Sequence, residues 1–161
     1  MDRLWTPWRL PYVTEGSTSV SGCIFCDALA RGDAEPHVVH HGRCCFVILN
    51  KFPYNNGHLM IVPNRHIARL ADLSNDELVE FMILTAASER VLASVYNPHG
   101  FNMGLNLGKP AGAGVLDHLH MHVVPRWNGD TNFMTVTGNT RVLPEELAAT
   151  AQRLRPGFAG S

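Results

Sequence analysis

No stretch of this 161-residue chain is apolar for the roughly 20 residues that a membrane-spanning helix needs. Its first residues, MDRLWTPWRLPY, have neither the apolar run nor the small-residue cleavage site of a signal peptide, which predicts a cytoplasmic protein. Net charge is nearly absent too, at −1 with histidine neutral. No basic field gathers nucleic acid or an anionic membrane, so an anionic ligand has to be held by local groups. Cysteine is scarce. The four present read as thiols or metal ligands in a reducing compartment, not as disulfides. Internal repeats, low-complexity blocks and the strand–helix–strand alternation of a doubly wound sheet are all missing. What remains is an ordinary apolar content of 45%, in a chain long enough for one domain. A domain of this size buries roughly 70% of its unfolded surface.

The chain divides into three parts. Residues 1–22 form an aromatic arm and linker, with Trp5, Trp8 and Tyr12 too costly to leave in water; 23–155 form the domain; 156–161 form a tail. Strands are expected over His37–His41 and Cys44–Asn50, around a Gly42-Arg43 turn. Adjacent in that second strand, Cys44 and Cys45 should face opposite ways and pack as small apolar residues. A Pro/Asn/Gly turn, Lys51 to Gly57, leads to a strand over His58–Pro63. Ser74 and Glu77 form a capping box for a long helix reaching about Tyr96. Leu78, Phe81, Met82, Thr85, Leu92 and Val95 make its apolar face, and Asn97-Pro98-His99-Gly100 stops it. Strands over Phe101–Leu107 and Thr135–Thr137 and a terminal helix from Pro144 to Leu154 complete the pattern. Strands first, one long helix among them and hairpin-type links predict an α+β fold with a mainly antiparallel sheet.

Two motifs carry chemistry. Residues 118–125 read HLHMHVVP, so His118, His120 and His122 alternate with Leu119, Met121 and Val123. Alternation is the period of a strand and puts all three imidazoles on one face, about 6.5–7 Å apart, with apolar side chains toward the core. Three imidazoles on one face serve no packing purpose; the plain alternatives are a His-rich surface strand or a weak metal patch. Cys23 and Cys26 form C-x-x-C, a signal for zinc or a redox pair, followed by one or two helical turns over Asp27–Arg31.

HLHMHVVP resembles the motif of the histidine-triad superfamily. The likeness continues, in the same order, through the Asn50 to His58 turn, HLMIVP, NLGKPAGAG and RWNGD, covering roughly residues 23 to 135. LWTPWR and the run from NPHGFNMGLNLG to GDTNF are most similar to the bacterial branch that cleaves diadenosine tetraphosphate by hydrolysis or phosphorolysis. The resemblance implies a five-stranded antiparallel sheet with one long and one C-terminal helix, paired as a homodimer. It implies His120 as a nucleophile that becomes a nucleotidyl-histidine, His122 bound to the α-phosphate or bridging oxygen, and Asn106 at the leaving phosphate. Asn50 matches a ribose-binding position and otherwise reads as a strand-ending turn residue. His58 matches a position near the phosphates and otherwise starts a strand.

Backbone N–H groups of Gly112, Ala113 and Gly114 are candidates to cradle phosphate oxygens, although the loop lacks the P-loop spacing. Lys109 and Arg126 are candidate polyphosphate contacts, with solvated surface charge as the default for either. Trp127 is a candidate stack for a distal base or a cover for the sheet edge, and Phe46 and Ile48 either wall a base pocket or belong to the core. Val115 and Leu116 stand where many members carry a Ser or Thr proton donor. The superfamily's zinc pattern maps onto Cys23, Cys26, His66 and His118, a closed set of four N/S ligands suited to structural zinc. Mg²⁺ would ride on substrate phosphates.

The function read from the sequence is therefore an enzyme that cleaves dinucleoside polyphosphates through His120, with water or phosphate as acceptor. The alternatives are a nucleoside phosphoramidase or general nucleoside-monophosphate hydrolase, and a zinc-stabilised nucleotide-binding protein with little catalysis.

Overall fold

The computed structural model describes residues 22–130 and 145–159. The tryptophan arm, the strand expected over Thr135–Thr137 and Pro144 lie outside these residues. The elements in chain order are α1 (Ile24–Arg31), β1 (Val38–His41), β2 (Cys45–Leu49), β3 (Leu59–Pro63), α2 (Asn75–Tyr96), β4 (Gly100–Leu105), β5 (Met121–Arg126) and α3 (Leu147–Leu154). The strands form one five-stranded sheet in the order β1-β2-β3-β5-β4. Every neighbouring pair is antiparallel, as the α+β reading expected. None of the described helices is long and apolar enough to cross a membrane.

Strands β2 and β3 are buried at every position, because both faces of the sheet are covered. Alternation assigns their residues to the two sides. On one side Val47, Leu49, Leu59, Ile61 and Val123 meet Phe81, Leu84, Val91 and Leu92 of α2 and Leu154 of α3. On the other, Val38, Phe46, Ile48, Met60 and Val62 pack on Phe25 and Ala28 of α1. The histidines belong to this second side, where His118 and His120 contact Phe25.

Helix α2 starts where the capping box placed it. Glu77 N–H donates to Ser74 Oγ at 3.3 Å, and Ser74 N–H donates to the Glu77 carboxylate at 2.7 Å. It ends at Asn97 in the left-handed conformation, φ 46°. Its buried face differs from the expected one. Leu84, Ala87, Ser88 and Val91 are buried, whereas Met82 is 55% exposed, in a solvent-facing stripe with Val79 and Ile83. The helix is apolar on both sides, so periodicity alone misassigned Met82. Glu80 reaches from α2 to the β1–β2 turn and accepts the backbone N–H groups of Arg43, Cys44 and Cys45. The turn therefore extends through Cys44, and β2 begins at Cys45; both cysteines border the α2-side core instead of facing opposite ways.

Toward the C-terminus two boundaries move. The terminal helix begins at Leu147, and the Glu145 carboxylate before it accepts from the Tyr96 and Thr150 hydroxyls at 2.5 and 2.9 Å. The chain stays packed beyond residue 155, because Phe158 is 2% exposed in the core; residues 156–158 are thus part of the domain, not a tail.

The segment after β3 is bolted to the start of α2. The Arg65 guanidinium pairs with both Glu77 carboxylate oxygens at 2.7 and 2.8 Å and also donates to Asp72 O. The Arg65 partner, helped by the Ser74 N–H, holds Glu77 down at about 2 against an ordinary 4.5. A depressed carboxyl stabilises the fold fully above its unfolded value and loses that contribution as pH falls through its folded value. Wild type should therefore exceed Glu77→Gln in urea unfolding midpoint at near-neutral pH, and the gap should close as pH falls from about 4.5 toward 2. A pH-independent gap would contradict this linkage.

Candidate active site and metal centre

The histidine stretch is only half strand. Pairing in β5 starts at Met121; His118, Leu119 and His120 form its lead-in. Leu119 N–H donates at 2.6 Å to Ile67 O, in the segment leaving β3, so the lead-in is held by that loop instead of by a strand ladder. The alternation survives. Leu119 enters the α2-side core, and the three imidazoles line the opposite side.

The hydrogen bonds assign the ring protons. His120 Nδ1 lies 2.9 Å from His118 O, which can only accept, so Nδ1 carries the proton and Nε2 holds a free lone pair. Burial pushes the His120 pKa down, against the pull of that carbonyl, and favours the neutral ring. His58 is fully buried, and Tyr54 N–H donates to its Nδ1 at 3.0 Å. Its proton therefore sits on Nε2, which donates to His122 Nδ1 at 2.9 Å. His122 is left with its proton on Nε2. A ring with a lone pair on Nε2 thus stands beside a ring with its proton on Nε2, their centroids 5.0 Å apart and their planes at 79°. That pairing suits attack on an electrophilic phosphorus with a donor ready for its oxygens.

His58 reaches this place because Gly57 does. Gly57 has φ +76°, and a Cβ there would lie 2.9 Å from Leu92 Cδ2 of α2.

A second cluster adjoins the first. Cys23 Sγ and Cys26 Sγ lie 3.2 and 3.6 Å from His118 Nδ1, and Cys26 Sγ lies 3.3 Å from His66 Nδ1. All four ligand atoms fall within 4.8 Å of one another. Zinc bond lengths at a tetrahedral angle put sulfur and nitrogen ligands about 3.5 Å apart, so the spacing and donor types fit a metal ion. His118 Nε2–H donates to Pro63 O at 2.8 Å, which fixes the tautomer with Nδ1 free to ligate. Burial, and then the neighbouring Cys23 thiol, push the Cys26 thiol pKa up, so a thiolate here calls for a cation.

The remaining candidates are placed unevenly. Asn50 joins the site, with its amide 3.4 Å from His58 Nδ1 and its Oδ1 accepting from Phe52 N–H. Asn106 is half-buried just past β4, next in chain to Leu105, which pairs with Met121 at the start of β5. Gly112 and Ala113 do not present their N–H groups to a ligand. A short 3-10 turn over Lys109–Ala111 draws them back to Lys109 O and Gly108 O, at 3.0 and 3.4 Å. Of the three, Gly114 is the one left for phosphate. Lys109 is an exposed residue of that turn. Arg126 is occupied: it grips Asp130 with two bonds of 2.6 and 2.7 Å and donates to Asn102 at 2.7 Å, which makes it a brace at the end of β5. Trp127 is half-buried, and its N–H is held by Asp130. Phe46 and Ile48 are core.

Sequence reasoning missed Tyr54 and Phe25. Tyr54 supplies the N–H that orients His58, and its ring lies 4.9 and 5.9 Å from those of His58 and His122. Nothing in a turn sequence announces that. Phe25 had one signal, its place between the two cysteines.

Comparison with known proteins fits this geometry. The HIT domain family profile matches residues 31–129. A Mycobacterium tuberculosis protein named AP-4-A phosphorylase is 42% identical over 99% of this chain and 85% of its own. A Zn-bound histidine triad family protein from Mycobacterium smegmatis superposes with a TM-score of 0.68, at 26% identity over 86% of this chain and 94% of its own. A histidine triad nucleotide-binding protein from Sulfolobus tokodaii shares the fold with a TM-score of 0.70, at 24% identity over 85% of this chain and 92% of its own.

The proton assignments are directly measurable. In ¹⁵N-edited spectra of the neutral histidines, His122 should be a single Nε2–H tautomer in wild type. In His58→Phe it should become a mixture, because the His58 donor to Nδ1 is gone. An unchanged His122 tautomer would contradict the assignment.

Proposed function

The chain belongs to the HIT domain family, and on that premise we propose that it cleaves dinucleoside polyphosphates, diadenosine tetraphosphate foremost, through a nucleotidyl-His120 intermediate. The observation that carries the proposal is the fixed proton on His120 Nδ1, which leaves Nε2 as an aimed, neutral nucleophile. In the first step that lone pair forms a bond to the α-phosphorus, the bond to the bridging oxygen breaks, and ATP departs. His122 Nε2–H supports the phosphoryl or bridging oxygen as charge builds. Asn50 and Asn106 are read as contacts for ribose and leaving phosphate, and Gly114 N–H as a contact for a phosphate oxygen. In the second step an acceptor oxygen attacks phosphorus and releases neutral His120. Inorganic phosphate as acceptor gives ADP, and water gives AMP. The relative's name, AP-4-A phosphorylase, favours phosphate.

The apolar pair Val115 and Leu116 also bears on substrate choice. A phosphate group has a second pKa of about 6, so polyphosphate leaves as an anion without a strong proton donor. An amine must be protonated as it leaves, and the positions where a Ser or Thr donor would stand offer none. The phosphoramidase reading is weakened accordingly.

The metal is read as zinc, held by Cys23, Cys26, His66 and His118. With four protein ligands it keeps no position for water and supplies structure, not a reaction step. Mg²⁺ is expected only with the nucleotide. The assembly is read as a homodimer. Among the described residues β4 is the last strand of the sheet, and α2 exposes Val79, Met82 and Ile83, a combination suited to a second copy.

His120→Ala should lower turnover of diadenosine tetraphosphate by about 10³-fold or more while nucleotide binding survives; retained turnover would refute the assignment. With wild type, ADP plus ATP formed only when inorganic phosphate is present identifies a phosphorylase, and AMP plus ATP without it a hydrolase. Protein purified without added zinc should carry the metal and resist thiol reagents at Cys23 and Cys26. Metal-free protein with both thiols freely titratable would exclude the zinc site.

A further inference from the structure

We infer that Phe25 is a positioning residue for the nucleophile, pressed against His120 by the metal-binding segment that contains it. The inference rests on His120 acting as proposed above, and goes beyond it by giving the metal centre a route to the reacting ring.

The geometry starts at Cys23. It is the residue before α1, in extended conformation, and Asp27 N–H closes the first turn onto its carbonyl at 2.9 Å. Winding the helix directly from a ligand sends neighbouring side chains to opposite sides. Ile24 is 55% exposed, whereas Phe25 is 2% exposed. The Phe25 ring reaches His118 edge-on, with centroids 5.4 Å apart, and lies 5.1 Å from His120 at 44°. Cys23 and Cys26, on either side of it, both point their sulfurs at His118 Nδ1.

His120 needs such a wall. Its bond to His118 O fixes one ring nitrogen, yet a single hydrogen bond leaves the ring free to rock about it. On one side His122 limits this motion, at 5.0 Å and 79°. Phe25 makes a second ring contact. The His118 carbonyl and the Phe25 ring, two constraints from outside the catalytic pair, both originate in the metal centre. The carbonyl belongs to a ligand, His118, and the phenyl ring belongs to the residue held between two ligands. A loss of metal would be felt at His120 through both.

The test uses the full-length, zinc-loaded chain with Phe25→Leu, which keeps most of the core volume but removes the flat ring, and Phe25→Ala, which removes both. Zinc content, turnover and the His120 ring spectrum are measured on each. Zinc should stay bound. KM should stay within about twofold, and kcat should fall about tenfold in Phe25→Leu and about a hundredfold in Phe25→Ala, the scale expected when a reacting group is held loosely. His120 should lose its sharp single Nδ1–H signature. If Phe25→Ala loses zinc or unfolds, Phe25→Leu alone decides. A lower melting temperature with kcat and the His120 spectrum unchanged would mean that Phe25 is only core, and would overturn the inference. The ring spectrum is recorded without substrate. A wrong choice of substrate would therefore show as missing turnover beside an altered His120 spectrum, distinct from failure of the inference itself.

Discussion

The hydrogen bond from His120 Nδ1 to the carbonyl oxygen of His118 is the contact on which the site depends. A neutral imidazole has one proton, and whichever nitrogen holds it cannot attack. A backbone carbonyl, with no proton to give, removes the ambiguity. It spans two residues along one chain, so the lead-in to β5 itself supplies the group that fixes its nucleophile. The lead-in is kept out of the ladder by Leu119, which is bonded to Ile67 O and buried in the α2-side core.

The same logic recurs around it. A backbone N–H sets His58, His58 sets His122, and Pro63 O sets His118. Each histidine is told where its proton belongs by a group that can only donate or only accept, or by a neighbour already fixed that way. Burial of His58, His118 and His120 strengthens the arrangement, since no water competes for the nitrogens. His118 stands at the junction, with its imidazole facing the metal ligands and its carbonyl facing the nucleophile.

Much of this was legible in the sequence because it rests on local period. The alternation over 118–123 placed three imidazoles on one face and the capping box placed the start of α2, whereas the cluster of Cys23, Cys26, His66 and His118 was legible only through the family resemblance. What sequence could not supply depends on where loops close. Arg126 reads as a free cation and is a brace, because Asp130 folds back onto it. Gly112 and Ala113 read as a phosphate cradle, yet their N–H groups satisfy the turn that precedes them. Met82 fits an apolar helix face that turns out to look at solvent, since α2 is apolar on two sides. Tyr54 acts through its backbone N–H, which no residue pattern reports.

The central claim is that the reacting atom is Nε2 of His120. The most direct measurement is rapid mixing with diadenosine tetraphosphate in the absence of inorganic phosphate, followed by an alkaline quench, which preserves an acid-labile phosphorus–nitrogen bond, and by mass analysis of the chain and its peptides. An adenylyl group is expected on the peptide containing His120 and on no other, removed by adding phosphate. Turnover at full rate with no adduct at any time, or an adduct mapped to another residue, would contradict it.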